Sequence, residues 1–100
     1  MISEEAKNVI SKSAFITLVT MNPDGTAHPI VAGKGEVQDD KIIFGIYKME
    51  KTQQNLLNSP KAWAVAAVTE DGPKGYRFEG TAAAADKQLI FSVTGTEALL

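Results

Sequence analysis

The sequence predicts a mainly β protein in which six antiparallel strands close into a small barrel and two short helices accompany them. Runs rich in β-branched and apolar residues recur along the chain at the length of strands. Short turn sequences such as Asn22–Gly25 and Glu70–Gly75 separate most of these runs, and turns of this length join neighbouring antiparallel strands. A two-layer sheet with helices on one side is the competing architecture.

Size and charge limit the classes of function. The chain has 100 residues, so we expect a single domain spanning residues 1–100 with a modest core. A formal net charge of −2 gives no electrostatic reason to bind nucleic acid or an anionic membrane. No apolar run approaches the roughly 20 residues of a membrane span. The first residues lack the apolar core of a signal peptide, so we expect a cytoplasmic protein.

The residue types available also limit the chemistry. The absence of cysteine excludes disulfides, thiolate metal sites and a cysteine nucleophile. His28 is the only histidine, which rules out a multi-histidine metal site, and its position indicates a surface residue of a strand. We therefore predict no metal site and assign no catalytic residue.

The first helix is predicted from Ser3 to about Ser13, because an N-capping serine precedes two acidic residues and an apolar stripe. Pro29 places its strand at an edge or a bulge of the sheet, because proline has no N–H to donate. Gly80 is a predicted bulge. The six predicted strands are Phe15–Met21, Thr26–Gly35, Lys41–Tyr47, Lys61–Thr69, Tyr76–Ala85 and Gln88–Thr96.

The second predicted helix, from Lys48 to Pro60, begins with two lysines. The amino end of a helix carries partial positive charge and unpaired N–H groups, so cations there are unfavourable by a few tenths of a kcal/mol. One interpretation is a solvated polar face formed by Lys48, Lys51, Asn55 and Asn58. The other is a phosphate held by Lys51, the Thr52 hydroxyl and free backbone N–H groups.

The strand before Gly35 loses side-chain bulk along its length, from Pro29 to Gly33. Glycine within a strand is unfavourable unless a bulge or a closely approaching group requires it. Both a plain bulge and a flat ligand lying against this backbone agree with the pattern.

Three segments taken together resemble the FMN-binding split-barrel family, which includes pyridoxamine-phosphate-oxidase-like proteins and small bacterial FMN-binding proteins. They are FITLVTMNPDGTAHPIVAGKG, KIIFGIYKMEKTQQNLLNSPKAWAVAAV and YRFEGTAAA. Each motif is weak alone, and their order and spacing over nearly the whole chain carry the likeness. The resemblance implies a split barrel, a homodimer, and FMN bound non-covalently in a groove at the subunit interface.

The resemblance also implies which residues bind the cofactor. The family's phosphate-binding position matches Lys51, with Thr52 beside it and Asn55 nearby. The strand-end positions that flank the isoalloxazine ring match Val31, Ala32 and Gly33. The family's cofactor-binding strand that leads into the helix matches Ile46, Tyr47 and Lys48.

The implied function is a small FMN-dependent oxidoreductase. It would transfer electrons or hydride between a reduced nicotinamide, or a redox protein, and a flavin or small acceptor. The alternatives are a non-enzymatic flavin carrier, a deazaflavin-binding relative and a structural barrel without ligand, and the single histidine disfavours the haem-binding branch.

Two departures from the family pattern bear on that function. Only a turn, Ala85–Lys87, stands where many relatives have a helix before the last strand. The segments that hold pyridoxal phosphate in the longer oxidases have no counterpart. We therefore do not expect a pyridoxamine-phosphate oxidase proper.

Overall fold

The computed structural model describes residues 2–100, which form seven β-strands and two α-helices. Six of the strands coincide with the runs of β-branched and apolar residues, and turns containing Asn, Asp, Gly and Pro separate most of them. In chain order the elements are α1 (Glu4–Lys12), β1 (Ile16–Met21), β2 (Ala27–Ala32), β3 (Gly35–Gln38), β4 (Lys41–Gly45), α2 (Glu50–Asn58), β5 (Lys61–Val68), β6 (Lys74–Ala85) and β7 (Gln88–Ala98).

The structure has seven strands rather than the six predicted, because the predicted strand over residues 26–35 ends at Ala32 and a new strand begins at Gly35. This short strand, β3, pairs with β4 across a turn at Asp39–Asp40. Asp39 adopts a φ of +57°, a conformation that aspartate tolerates better than most residues. Four residues that include two polar ones carry little strand signal, so only the pairing with β4 makes this segment a strand.

All seven strands belong to one sheet in the order β2-β1-β5-β6-β7-β4-β3, and every neighbouring pair is antiparallel. The two edge strands, β2 and β3, are consecutive in the chain and are joined only by Gly33 and Lys34. A link this short spans no more than about 11 Å, so the two edges must approach each other. The sheet is therefore curled into an open barrel, which confirms the predicted fold class and excludes a flat two-layer sheet.

The core fills the inner face of the curled sheet, and alternate residues are buried along β1 and most of β5. A Cβ on the buried Gly35 would lie 2.8 Å from a methyl group of Ile42 and 3.0 Å from one of Ile16. Glycine at this position therefore lets β3 pack against β1 and β4 in the core. This accounts for Gly35 without a ligand.

Two predictions about the sheet are confirmed. Pro29 lies in β2 at the edge of the sheet, paired with Val19. The register of β6 against β7 shifts between Glu79 and Gly80, and a Cβ on Gly80 would lie 1.8 Å from the carbonyl oxygen of Ser92. The bulge thus requires glycine.

The helices lie against the barrel through different kinds of residues. In α1 the hydroxyl of Ser3 accepts a hydrogen bond from the N–H of Ala6 at 3.1 Å and caps the helix as predicted. Helix α2 begins at Glu50, two residues after the predicted start at Lys48. Its buried residues are Thr52, Asn55 and Leu56. No helix within residues 2–100 is long and apolar enough to cross a membrane.

Candidate functional site

Two adjoining cavities lie where the end of β2 meets the segment that leads into α2. The helix-side cavity has a volume of about 350 Å³ and is lined by residues 28, 30, 31 and 47–52. The strand-end cavity has a volume of about 390 Å³ and is lined by residues 15, 31–34, 45, 47 and 49. Both include Val31, Tyr47 and Met49, and we refer to the pair as the groove.

Most of the predicted site residues meet in this groove. Separate stretches of the chain supply them, since β2 and the α2 entry are far apart in sequence and the curled sheet brings them together. Seven of the nine predicted residues line it, namely Val31, Ala32, Gly33, Tyr47, Lys48, Lys51 and Thr52. Ile46 and Asn55 do not.

The start of α2 opens into the helix-side cavity. Lys48 precedes the helix with a φ of +56°, which is uncommon for a residue with a side chain. No side chain caps the helix at Met49, and its first backbone hydrogen bond runs from Gln53 to Met49 over 2.9 Å. The N–H groups of residues 50–52 therefore have no partner within the helix.

The helix-side cavity contains charged residues of both signs. Lys48, Lys51, Glu50 and His28 all line it. The ammonium of Lys48 lies 5.9 Å from the centre of the Tyr47 ring, within range of a cation–π contact. None of the four ion pairs found among residues 2–100 involves Lys48 or Lys51.

Lys51 also interacts electrostatically with the carboxylate of Asp24, which lies outside the cavity. Asp24, in the β1–β2 turn, accepts hydrogen bonds from the hydroxyl and the N–H of Thr26, at 2.6 and 3.0 Å. These bonds lower the pKa of Asp24, and the positive charge of Lys51 lowers it further. Lys51 is thus close enough to this turn for the two charges to interact.

The strand-end cavity is mainly apolar and open. A Cβ on Gly33 would meet no atom within 4 Å, so nothing in the chain fills the space beside it. Large apolar side chains at the rim remain exposed, with exposed fractions of 70% for Phe15, 69% for Val31 and 79% for Tyr47. A flat apolar group could lie against this surface with little displacement of protein atoms.

The two predicted residues outside the groove have other contacts. The half-buried Ile46 packs against the core, and its N–H donates to the carbonyl of Lys87 at 2.9 Å. Asn55, expected on a polar face of the helix, is only 2% exposed. Its side-chain nitrogen donates to the hydroxyl of Thr20 at 3.1 Å and to the side-chain oxygen of Asn22 at 3.0 Å. Thr52 lines the cavity but is 1% exposed, so its side chain offers little surface.

Several groove residues were not predicted. The sequence predicts Phe15 in a strand and His28 at the surface of a strand, and neither prediction places them at a ligand site; the structure brings both to the groove. Alternation along β2 offered a signal, since His28 pairs with the buried Thr20 and so lies on the inner face of the edge strand. The remaining unpredicted lining residues are Ile30, Lys34, Gly45, Met49 and Glu50.

A further cavity, about 740 Å³, is lined by residues of α1, β3 and β4 together with Lys34 and Gln88. Polar residues of α1 such as Lys7 and Asn8 line it, and Lys34 at its rim donates to the carbonyl of Ser11 at 2.6 Å. It shares Lys34 and Gly45 with the strand-end cavity. Within residues 2–100 no group of three or more His, Cys, Asp or Glu side chains is placed to hold a metal ion.

Comparison with known proteins identifies a family. A model of the family described as pyridoxamine 5'-phosphate oxidase matches residues 2–93. A search of curated proteins finds no significant match.

Three solved structures show what else adopts this fold. An FMN-binding protein from Syntrophomonas wolfei subsp. wolfei is 19% identical with a TM-score of 0.79, and the match covers 97% of this chain and 85% of that one. An F420 reductase is 11% identical with a TM-score of 0.77, covering 96% and 98%. A heme binding protein from Mycobacterium smegmatis is 12% identical with a TM-score of 0.82, covering 99% of this chain and 54% of that one. At such identities the likeness concerns the fold alone.

Proposed function

Because this chain belongs to the pyridoxamine 5'-phosphate oxidase family, we propose that it binds FMN in the groove and acts as a small oxidoreductase. One observation carries the proposal: the groove joins an uncapped, lysine-bearing helix start to an open apolar surface. A ligand with an anionic end and a flat apolar end matches both parts. FMN has this form, since its phosphate and its ring lie at opposite ends of the molecule.

The residues present fit FMN at the phosphate end. Lys51, with Lys48 beside it, offers positive charge, and the N–H groups of residues 50–52 offer donors that lack partners within the helix. Helix N-termini of this kind stabilise bound phosphates through both the N–H groups and the helix dipole. A bound phosphate would therefore offset the unfavourable charge of the two lysines near the start of the helix.

The residues also fit at the ring end. Val31, Ala32 and Gly33 line the strand-end cavity and have short side chains or none, and Tyr47 also lines it with most of its surface exposed. Each cavity alone falls within the usual size range of ligand sites, about 300–1,000 Å³. The ring would cover apolar surface that is otherwise in water.

When bound, FMN would supply the electron or hydride transfer, which no side chain lining the groove performs alone. The chain would bind and orient it: Lys51 would hold the phosphate, and Val31, Gly33 and Tyr47 would set the position of the ring. A reduced nicotinamide or a redox protein would be the electron donor, and a flavin or small molecule the acceptor. The alternative function at the same site is a non-enzymatic flavin carrier, which would bind FMN but catalyse no reaction.

A homodimer with the cofactor at its interface is part of the proposal. Phe15, Val31 and Tyr47 are exposed around the groove, and a second copy covering them would remove apolar surface from water. Sedimentation or light scattering should give twice the monomer mass. A monomer at micromolar concentration that still binds FMN would show that the groove is complete within one chain.

Two other ligands deserve a test because solved relatives of this fold include an F420 reductase and a heme binding protein. F420 is a deazaflavin with an anionic tail, so it would make similar use of Lys51. Haem is favoured by one separate observation, namely that His28 lines the helix-side cavity and could ligate iron.

The first experiment is an absorption spectrum of the purified protein, with the chromophore identified by mass after denaturation. We expect FMN with the two visible bands of an oxidised flavin. A deazaflavin or a haem would replace the FMN proposal by the corresponding alternative. A colourless protein that fails to bind added FMN, added F420 and added haem would exclude all three.

A Lys51→Gln substitution tests the phosphate contact. Loss of one charge-assisted contact is expected to weaken FMN binding by about 10- to 100-fold, whereas riboflavin, which lacks the phosphate, should bind nearly as before. Lys87→Gln, in the turn between β6 and β7 and outside both cavities, is the matched control. Equal losses of affinity for FMN and for riboflavin would contradict the assignment of Lys51.

A separate measurement distinguishes an enzyme from a carrier, namely the rate at which a reduced nicotinamide reduces the bound flavin in the same samples.

A further inference from the structure

Asn55 uses both hydrogens of its side-chain amide within the protein. One hydrogen bond goes to the Thr20 hydroxyl at 3.1 Å and the other to the Asn22 side-chain oxygen at 3.0 Å. The residue is 2% exposed and lines neither cavity of the groove. Both N–H donors of this amide are therefore engaged within the protein, and neither is available to an anionic ligand.

These hydrogen bonds join the helix to the turn between β1 and β2. Asn22 also donates to the hydroxyl of Thr26 at 3.0 Å, and that hydroxyl donates to Asp24 at 2.6 Å. A chain of side-chain hydrogen bonds therefore runs from inside α2 to the tip of the turn. Helix and turn are held together as one unit.

The position of Asn55 along the helix relates it to Lys51. Residues four apart lie one above the other on the same face of a helix, so Lys51 and Asn55 both face the side of β1 and its turn. Thr20, the partner of Asn55, pairs across the sheet with His28. His28 and Lys51 both line the helix-side cavity. The contact at Asn55 thus lies one helical turn behind the part of α2 that opens into the groove.

We propose that Asn55 is a positioning residue for the phosphate end of the groove: by tying α2 to Thr20 and Asn22 it holds Lys51 and the free N–H groups at the cavity. This inference rests on the proposed function, because it concerns recognition of an anionic group at that end. It changes the role expected for Asn55 from a ligand contact to a support acting through other groups.

The physical reason lies in the shortness of α2. A helix of nine residues is marginal by itself, and its place on the sheet depends on its tertiary contacts. Leu56 and Thr52 are buried and hold the helix in the core, but apolar packing tolerates sliding and rotation better than directed hydrogen bonds do. Two buried bonds from one amide fix the orientation of the face that carries Lys51.

The test compares FMN with riboflavin in Asn55→Leu, which removes both hydrogen bonds and keeps side-chain bulk. We expect the wild-type preference for FMN over riboflavin to fall by about tenfold, the effect of one misaligned charge-assisted contact. Thr20→Val removes one acceptor with almost no change of shape and should give a smaller change of the same kind. It also serves as the working variant where Asn55→Leu fails to fold.

Ser13→Ala is the matched control for general destabilisation. Ser13 is buried and donates to the Val9 carbonyl at 2.7 Å, on a different part of the molecule. It should lower stability without changing the preference for FMN. In a Lys51→Gln background, Asn55→Leu should change the preference for FMN over riboflavin less than it does in the wild type. The reason is that the Lys51 ammonium, which Asn55 is proposed to position, is already absent.

The outcomes separate the two proposals. An unchanged preference in Asn55→Leu or Thr20→Val, with only stability reduced, would overturn the positioning role and leave FMN binding standing. A wild-type protein that binds neither ligand would overturn the proposed function, and this inference with it. A lower preference in Ser13→Ala would also overturn the positioning role, because any loss of stability would then have the same effect.

Discussion

The side-chain nitrogen of Asn55 lies 3.1 Å from the hydroxyl oxygen of Thr20, and this buried hydrogen bond joins helix α2 to strand β1. Thr20 in turn pairs with His28 of the edge strand, which lines the groove. The helix start, the β1–β2 turn and the groove therefore form one connected part of the molecule. Substitutions there are expected to change ligand binding, and those in the opposite half of the sheet to change stability.

Glu50→Gln is expected to strengthen FMN binding by about two- to fivefold, because Glu50 lines the helix-side cavity and its charge opposes a phosphate there. Riboflavin affinity should not change. The substitution also removes a favourable acidic residue from the first turn, at a cost of about 0.3–1 kcal/mol in unfolding free energy. Fluorescence titration with each ligand is the measurement, with Glu36→Gln as control. Unaltered FMN affinity would mean that the phosphate lies elsewhere.

His28→Ala distinguishes flavin from haem. The imidazole lines the cavity but is not needed to hold a phosphate, so FMN affinity should stay within about twofold of wild type. If haem is the ligand, loss of its iron-binding side chain should abolish the haem absorption of the complex. Spectra of both proteins after addition of each cofactor decide between them. A large loss of FMN binding in this variant would give His28 a role in flavin recognition that we do not predict.

Lys48→Gly separates backbone strain from charge. Lys48 has a φ of +56°, which glycine adopts without cost, so the unfolding free energy should rise by about 0.5–1 kcal/mol or stay equal. FMN affinity should fall a few-fold because one positive charge leaves the cavity. Lys48→Val removes the same charge but should lower stability, since a β-branched residue fits this conformation poorly. Urea unfolding of both variants is the measurement, and a lower stability of the glycine variant would contradict the prediction.

Gly80→Ala is expected to be severely destabilising, by more than about 3 kcal/mol, because its Cβ would lie 1.8 Å from the carbonyl oxygen of Ser92. The backbone of the bulge cannot move aside without breaking the pairing of β6 with β7. Gly95→Ala, whose Cβ would meet nothing within 4 Å, is the control and should change stability by less than about 0.5 kcal/mol. Similar melting temperatures for the two variants would show that the bulge is not rigid.

Acid should weaken the fold in part through Glu79. Its carboxylate accepts a hydrogen bond from Lys61 at 2.5 Å, and this contact lowers its pKa in the folded state. A group whose pKa is lowered on folding adds stability above its unfolded pKa, near 4.3 for glutamate, and loses it as the pH falls through the folded value. Stability measured between pH 5 and 2 should therefore fall less steeply for Glu79→Gln than for wild type. Lys61→Met should show the same smaller slope, and equal slopes in all three would contradict this role.

Local sequence signals were sufficient for most of the fold. Apolar alternation and turn residues predicted six of the strands, the Ser3 cap, the edge position of Pro29 and the bulge at Gly80. Strand β3 was not predicted, because these four residues form a strand only through their pairing with β4 and the residues themselves carry little strand signal. The helix start was predicted two residues early, because Lys48 has a positive φ and Met49 is the N-cap, so neither residue has helical backbone angles.

At the candidate site, too, some features could be predicted from the sequence and others depend on the tertiary structure. Lys51, Gly33 and the other groove residues were identified from residue type and from a family resemblance, and the structure brings seven of those nine together. The expectation that Asn55 lies on a solvated polar face is wrong, because its burial depends on acceptors from Thr20 and Asn22, more than 30 residues away in the chain.

By itself the sequence determined six of the seven strands, the two helices to within two residues at the start of α2, and the main turns. It also indicated which residues could meet an anion. These properties follow from backbone preferences and side-chain periodicity, which act over a few residues. Tertiary structure alone decided that the edges β2 and β3 approach each other, that His28 and Phe15 face the groove, and that Asn55 supports the helix from within. Those outcomes depend on the curl of a seven-stranded sheet, which is set by pairing between distant segments and by burial of one common face.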